Sequence, residues 1–292
     1  MLRPLPRRYV GGLPVLDRPL VMGVVNVTPD SFSDGGRFLG EDAAVAHGLQ
    51  LVAEGADLLD IGGESTRPGA TRPLVAEELD RVVPVIGRLV GAGARVSVDT
   101  MRSEVAAAAL DAGAVLVNDV SGGLADPAIL DVVAAAGAAY VAMHWRGHAD
   151  VMRDRAHYDD VVGEVRAELR ERVDAALDAG VAPDRLAVDP GLGFAKTAGH
   201  NWTLLRRLDE IDLGLPILVG SSRKSFLGTL LASPDGTPRP VLDREDANTA
   251  LTTIAALEGV WAVRVHEVRA SVDAVRVVDR WRTAGRVGDD HD

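Results

Sequence analysis

Two asparagines, two aspartates, a lysine and an arginine close otherwise apolar stretches of this chain: Asn26, Asp99, Asn118, Asp189, Lys224 and Arg264. Carboxylates and amides pair with the N–H and C=O groups on the edge of a planar heterocycle. Gathered at one pocket, these residues would suit a ring with several donors on one edge. Positive charge collects at three of the polar segments that follow the apolar runs: Arg67; Arg223 with Lys224; Arg264 with His266. In a chain of formal net charge −12, such a group points to an anionic ligand. Arg grips phosphate or carboxylate bidentately, and Lys acts as a point charge. Ser221 to Ser225 leads into a helix, whose N-terminal N–H groups offer an anion site. Turn preference alone explains a polar end to any one apolar run; it explains six poorly.

Three other chemistries are weaker. Gly191-Leu192-Gly193-Phe194-Ala195-Lys196-Thr197 looks like a phosphate-binding loop, but Ala195 stands where glycine should precede the lysine and the spacing is short. His144 and His148 are four apart, yet they follow a strand pattern and no HExxH is present. Glu64 with Asp99 or Asp189 could form a hydrolytic carboxylate pair only at separations that a sequence does not contain.

These residues need a frame that brings distant strand ends together. Eight short apolar runs recur at 20–25, 57–61, 95–98, 115–117, 139–143, 185–188, 216–219 and 260–265, and segments with apolar residues at helical spacing separate most of them. Predicted helices span about 41–54, 77–91, 102–112, 127–136, 158–179, 201–208, 224–231 with 244–258, and 268–283. Several end in glycine, at Gly55, Gly113, Gly137, Gly180 and Gly259, which predicts left-handed caps. Eight βα units in this length predict an α/β fold, a single (β/α)8 TIM barrel of parallel strands with its active site at the C-terminal rim. A doubly wound sheet is the rival, weakened because no Gly-x-Gly-x-x-Gly follows the first run. The expected organisation is a lead-in over 1–18, the barrel over 19–284 and a polar tail over 285–292.

Composition narrows the class further. The chain is 47% apolar and 25% charged, with no cysteine, which leaves no disulfide framework, thiolate metal site or cysteine nucleophile. The acidic balance argues against a general nucleic-acid surface. No secretory leader is evident at the start, and the longest uncharged apolar-rich stretch, Val132–Met143, is too short to span a bilayer. The expectation is a cytoplasmic protein with neither membrane nor nucleic-acid partners.

Read as motifs, the strand ends are NVTPDSFSDGG (Asn26–Gly36), DIGGESTRPGA (Asp60–Ala70), SVDT (Ser97–Thr100), NDVSGG (Asn118–Gly123), MHWRG (Met143–Gly147), DPGLGFAKTAGHN (Asp189–Asn201), GSSRKSFLG (Gly220–Gly228) and RVHEVR (Arg264–Arg269). Together, in this order, they closely resemble the dihydropteroate synthase family. The resemblance implies a barrel, usually homodimeric, that condenses (7,8-dihydropterin-6-yl)methyl diphosphate with p-aminobenzoate and is a target of sulfonamides. It implies that Asp99, Asn118, Asp189 and Lys224 hold the pterin ring, with Met143 and Phe194 packed near it. Asn26 is matched to the ligand of Mg2+ on the diphosphate. Thr66, Arg264 and His266 are placed on the diphosphate side, with Val265 among the substrate-binding positions. Ser225, Thr66, Arg67 and Pro68 are placed at the p-aminobenzoate site. Asp30 lies on a loop, Val27 to Gly36, that the resemblance folds over the site, although Asp30 and Asp34 could equally cap turns. Two departures are modest: MHWRG stands for an MHMRG-like segment, and RVHEVR for RVHDVR. A non-catalytic pterin-binding homologue and a pterin-dependent methyltransferase are the alternatives, and neither would be expected to keep both STRPG and SRKS.

Overall fold

A computed structural model describes residues 5–6, 8–28, 36–64, 72–148, 152 and 154–284. Among the described residues, eight strands are separated by helices, ten α-helices in all. The strands are β1 (Leu20–Asn26), β2 (Leu58–Gly62), β3 (Val96–Asp99), β4 (Leu116–Asp119), β5 (Ala139–Met143), β6 (Leu186–Asp189), β7 (Leu218–Val219) and β8 (Ala262–Val265). The helices are α1 (Gly36–Ala53), α2 (Val75–Gly91), α3 (Ser103–Asp111), α4 (Ala128–Ala136), α5 (Val161–Asp178), α6 (Ala198–Arg206), α7 (Leu208–Ile211), α8 (Ser225–Leu230), α9 (Glu245–Glu258) and α10 (Val268–Thr283). Every strand pair is parallel, in the order β6-β5-β4-β3-β2-β1-β8-β7. A single parallel bridge, Val188 to Ile217, joins the two ends of that sheet. This is the expected (β/α)8 barrel. Its seventh strand is two residues rather than four, Ile217 pairing only as the isolated bridge and Pro216 only through its carbonyl, which accepts the Val188 N–H at 2.9 Å.

Strands β1, β2, β3 and β6 run one residue further than their apolar stretches suggest, and β4 two. Ladder pairing continues through the polar termini: Asn26 pairs with Gly62, Gly62 with Asp99 and Asp99 with Asn118, so these four share one row of the barrel. Side-chain direction alternates along each strand. Leu20 and Met22, Leu58, Leu116, Val141, Ala187, Leu218 and Ala262 fill the barrel interior together with Val10 and Leu13 from the lead-in. Val21 and Val25, Leu59 and Ile61, Val96 and Val98, and Val263 and Val265 face the helices. By the same parity Asn26, Asp60, Asp99, Asn118, Met143, Asp189 and Arg264 point inward, above the interior plug. The anticipated glycine caps all have positive φ, from +60° at Gly137 to +103° at Gly55. Among the described residues no helix is long and apolar enough to cross a membrane. The tail from 285 onward lies outside the described residues.

Candidate active site

The inward-pointing strand ends enclose a pocket at the C-terminal rim. Asp99, Asn118, Val120, Met143, Asp189, Leu192, Phe194, Gly220, Ser222, Lys224, Arg264 and His266 line it. Its apolar wall continues into a small cluster of Met101, Val120, Met143, Met152, Phe194 and Ala195. One side of the pocket is therefore greasy and the other densely charged, which suits a flat ring with polar edges.

The charged side is organised by Asp60, a fully buried carboxylate in the middle of the barrel. Its Oδ2 accepts from Arg264 Nε at 2.6 Å and from Asn118 Nδ2 at 2.9 Å. Arg264 Nη2 also donates to Asp99 Oδ2 at 2.7 Å. Strand register explains this reach. Arg264 pairs with Met22, four residues and two inward layers below Asn26, so its long side chain climbs past Asp60 before meeting Asp99. The Asn118 bond to Asp60 sets that amide with its nitrogen inward and its oxygen on the other side. Sequence reading did not single out Asp60, although period-2 counting from Leu58 would have turned it inward.

Burial dominates the electrostatics. It pushes the Asp189 carboxyl up to about 6, partly opposed by the Gly191 N–H at 2.7 Å and by Lys224. Asp99 is also raised by burial, with Arg264 pulling the other way. Lys224 is pushed down to about 8 by burial and by Arg264, against the attraction of Asp189 and Asp99. Its ammonium lies 4.1 Å from the centroid of the Phe194 ring, a cation–π contact. Two glycines make that approach possible. Gly193 has φ +79°, and a Cβ there would lie 2.9 Å from Lys224 Cδ; Gly191 has φ +67°, and its Cβ would meet the His144 carbonyl at 2.2 Å.

On the rim beside Lys224, Ser222 Oγ and His266 Nδ1 are 2.9 Å apart, and the His266 N–H reaches the same hydroxyl at 3.3 Å. Ser222 is a second pocket residue that the sequence reading passed over. Arg223, read there as part of a basic group with Lys224, sits at φ +62° and gives its Nε to Glu245 at 2.6 Å. It does not line the pocket, whose positive groups among the described residues are Lys224 and Arg264. Val265 turns outward into the helix-facing core, and Ser225 is exposed at the first turn of α8. Glu64 is bonded to Arg72 at 2.8 Å rather than facing either pocket aspartate. Asp30, Thr66, Arg67 and Pro68 lie outside the described residues.

Among the described residues no cluster of three acidic or histidine side chains could hold a metal ion. Asn26, partly exposed at the end of β1, fits a different arrangement. Mg2+ is commonly held by one or two protein oxygens, with substrate phosphates and water completing its shell. A neutral amide oxygen beside a diphosphate meets that description.

A parallel barrel whose rim carries a heterocycle-sized polar pocket defines a ring-binding (β/α)8 enzyme, and the chain matches the pterin binding enzyme family over residues 22–266. It belongs to that family. A dihydropteroate synthase of Mycobacterium leprae is 57% identical over 267 residues, which cover 91% of this chain and 94% of the relative. The structure of Xanthomonas albilineans dihydropteroate synthase with 4-aminobenzoic acid aligns at a TM-score of 0.84 and 49% identity, covering 92% of this chain and 94% of that one. That of Yersinia pestis dihydropteroate synthase with a sulfonamide drug complex aligns at 0.86 and 40%, covering 94% and 98%. Within the pterin-binding enzymes, this chain stands with the dihydropteroate synthases.

Proposed function

We propose that this chain joins (7,8-dihydropterin-6-yl)methyl diphosphate to p-aminobenzoate, releasing diphosphate and 7,8-dihydropteroate. The observation that carries the reading is the convergence of Asp99, Asn118, Asp189, Lys224 and Arg264 on one pocket from five different strands or their following loops.

Asp99 and Asp189 accept from the N–H donors along the pterin edge, and Asn118 presents its amide oxygen beside them. Lys224 donates to the ring's acceptor side. Met143 and Phe194 cover its faces. Arg264 keeps the two carboxylates Asp60 and Asp99 close without mutual repulsion, and its positive charge, with His266 beside Ser222, favours the diphosphate end. Asn26 would hold Mg2+ on that end, where the ion would offset charge building on the leaving oxygens. The pocket holds the ring while the carbon–oxygen bond breaks ahead of attack, and the arylamine captures the resulting cation. No protein nucleophile is needed. We place p-aminobenzoate near Ser225 with Thr66, Arg67 and Pro68, and assign Asp30 to the loop over the pterin.

Purified protein with Mg2+ and both substrates should form dihydropteroate, with a sulfonamide competing against p-aminobenzoate. Pterin binding without product would refute the synthase and leave a pterin-binding module. We also propose a homodimer. Ile254 and Leu257 on α9 and Val277 and Trp281 on α10 are exposed apolar side chains on two adjoining helices, a patch of the kind a second copy would cover.

A further inference from the structure

Lysine stands at only two of the 31 basic positions of this chain, Lys196 and Lys224, and arginine at the rest. Lys224 lines the pocket; Lys196 is folded behind its wall. Lys196 Nζ lies 2.8 Å from His144 Nδ1, 3.0 Å from the Gly191 carbonyl and 3.0 Å from the Phe194 carbonyl. An ammonium has three donors and can serve all three acceptors; a neutral amine has two donors. A planar guanidinium fork is the wrong shape for acceptors that converge on one point. With Nδ1 accepting, His144 Nε2 carries the proton and donates to Glu168 Oε2 at 2.9 Å. His144 stays neutral because burial and Lys196 push it down to about 4.

The loop between Asp189 and Lys196 needs such a fastener. Ala195 has φ +46°, a left-handed conformation that a residue with a Cβ adopts at a cost of order 1 kcal/mol or more. Tyr158 Oη donates to the Ala195 carbonyl at 3.0 Å, and the Gly193 N–H donates to Asn201 Oδ1 at 2.7 Å. Lys196 ties two further carbonyls of the loop, those of Phe194 and of Gly191, the latter also accepting the Phe194 N–H at 3.1 Å. The side chain so displayed is Phe194, against Lys224.

We propose that Lys196 is a positioning residue for the pterin pocket: its ammonium ties the Gly191 and Phe194 carbonyls to His144, and so holds Phe194 against Lys224. This rests on the pterin-binding reading of the pocket. The device is sensitive to pH. Burial pushes Lys196 down to about 7, opposed by Asp189 and Glu168 and reinforced by Arg146 and Lys224. The charged fastener is therefore complete below about pH 7 and is lost as pH rises through that value. By reciprocity of linked equilibria, bound pterin must raise the pH at which Lys196 gives up its proton.

The test is steady-state kinetics with both substrates, comparing the full chain with its Lys196→Met variant between about pH 6 and pH 8.5. The KM for the pterin diphosphate should rise about tenfold or more in the variant at the acid end, and that ratio should shrink as the pH rises. The KM for p-aminobenzoate should change less than about twofold. A ratio independent of pH, or an equal rise in both KM values, would overturn the proposal. Should the variant fail to fold, lysine-selective 13Cε labelling of the wild-type chain yields only two signals, distinguished by Lys224→Arg. The Lys196 signal should titrate near neutral pH and its midpoint should move up with bound pterin diphosphate. Bound pterin with an unmoved midpoint would refute the fastener alone, whereas a wild-type chain that binds no pterin would refute the reading of the pocket.

Discussion

Arg264 Nε, half-buried at the pocket wall, donates to the buried Asp60 Oδ2 at 2.6 Å, and this pair is the keel of the pocket. Asp60 is fully buried, and its other oxygen, Oδ1, has no hydrogen-bond partner among the described residues. Among the described residues, Arg264 is the one positive group bonded to both Asp60 and Asp99. Without it two carboxylates would face each other in the barrel. With it they form a rigid acceptor row under the ring.

The Asp60→Asn variant keeps the shape and removes the charge that holds Arg264. Charge-assisted hydrogen bonds contribute ~1.5–3 kcal/mol each, so pterin affinity should fall about 10- to 100-fold. Isothermal titration with the pterin diphosphate checks this. Unchanged affinity would mean that Asp99 and Asn118 hold their places unaided.

Replacing Gly191 by alanine puts a Cβ into the His144 carbonyl and demands a positive φ of a residue that resists it. The loop must move, at a cost of roughly 1–3 kcal/mol, and Phe194 moves with it. Pterin binding should weaken while the fold persists, as far-ultraviolet dichroism and a titration would report. Gly87, whose added Cβ would meet no atom within 4 Å, is the control.

Asp189 makes pterin binding and stability depend on pH in opposite senses. Its folded value, about 6, lies above the ordinary 3.8. Its contribution to stability is therefore fully present below about pH 4 and lost as pH rises through about 6. The ionised carboxylate accepts a ring N–H more strongly than the protonated acid does, so its contribution to affinity grows over the upper part of that interval. The ratio of pterin dissociation constants, Asp189→Asn over wild type, should grow between pH 5 and pH 7. Over the same range the variant should gain melting temperature relative to wild type. A ratio that stays flat would remove Asp189 from the ring edge.

Trp281 and Val277 give the homodimer a direct check. Charged substitutions at both, Val277→Glu with Trp281→Glu, should halve the mass measured by light scattering and leave the dichroism spectrum intact, since both side chains are largely exposed. An unchanged mass would place any dimer contact elsewhere.

The order of apolar runs and helical spacings was enough to specify the barrel, because burial of both strand faces leaves few other arrangements for eight βα units. Helix ends were legible too: α10 runs over Val268–Thr283 as read, and Gly55 and Gly259 cap as glycine must when φ is positive. The polar strand ends named most of the pocket, since an inward Asp or Asn at the end of an apolar strand has little purpose in packing. Tertiary structure alone decided which of them act together. The role of Asp60 depends on the stagger that lets Arg264 climb two layers, and stagger is a property of strand pairing rather than of either residue. Arg223 and Lys224 are neighbours in sequence, yet a left-handed turn sends one to Glu245 and the other into the pocket. Lys196 closes a stretch whose likeness to a phosphate loop the sequence already discounts, and only the convergence of three acceptors on its nitrogen shows where its donors go instead.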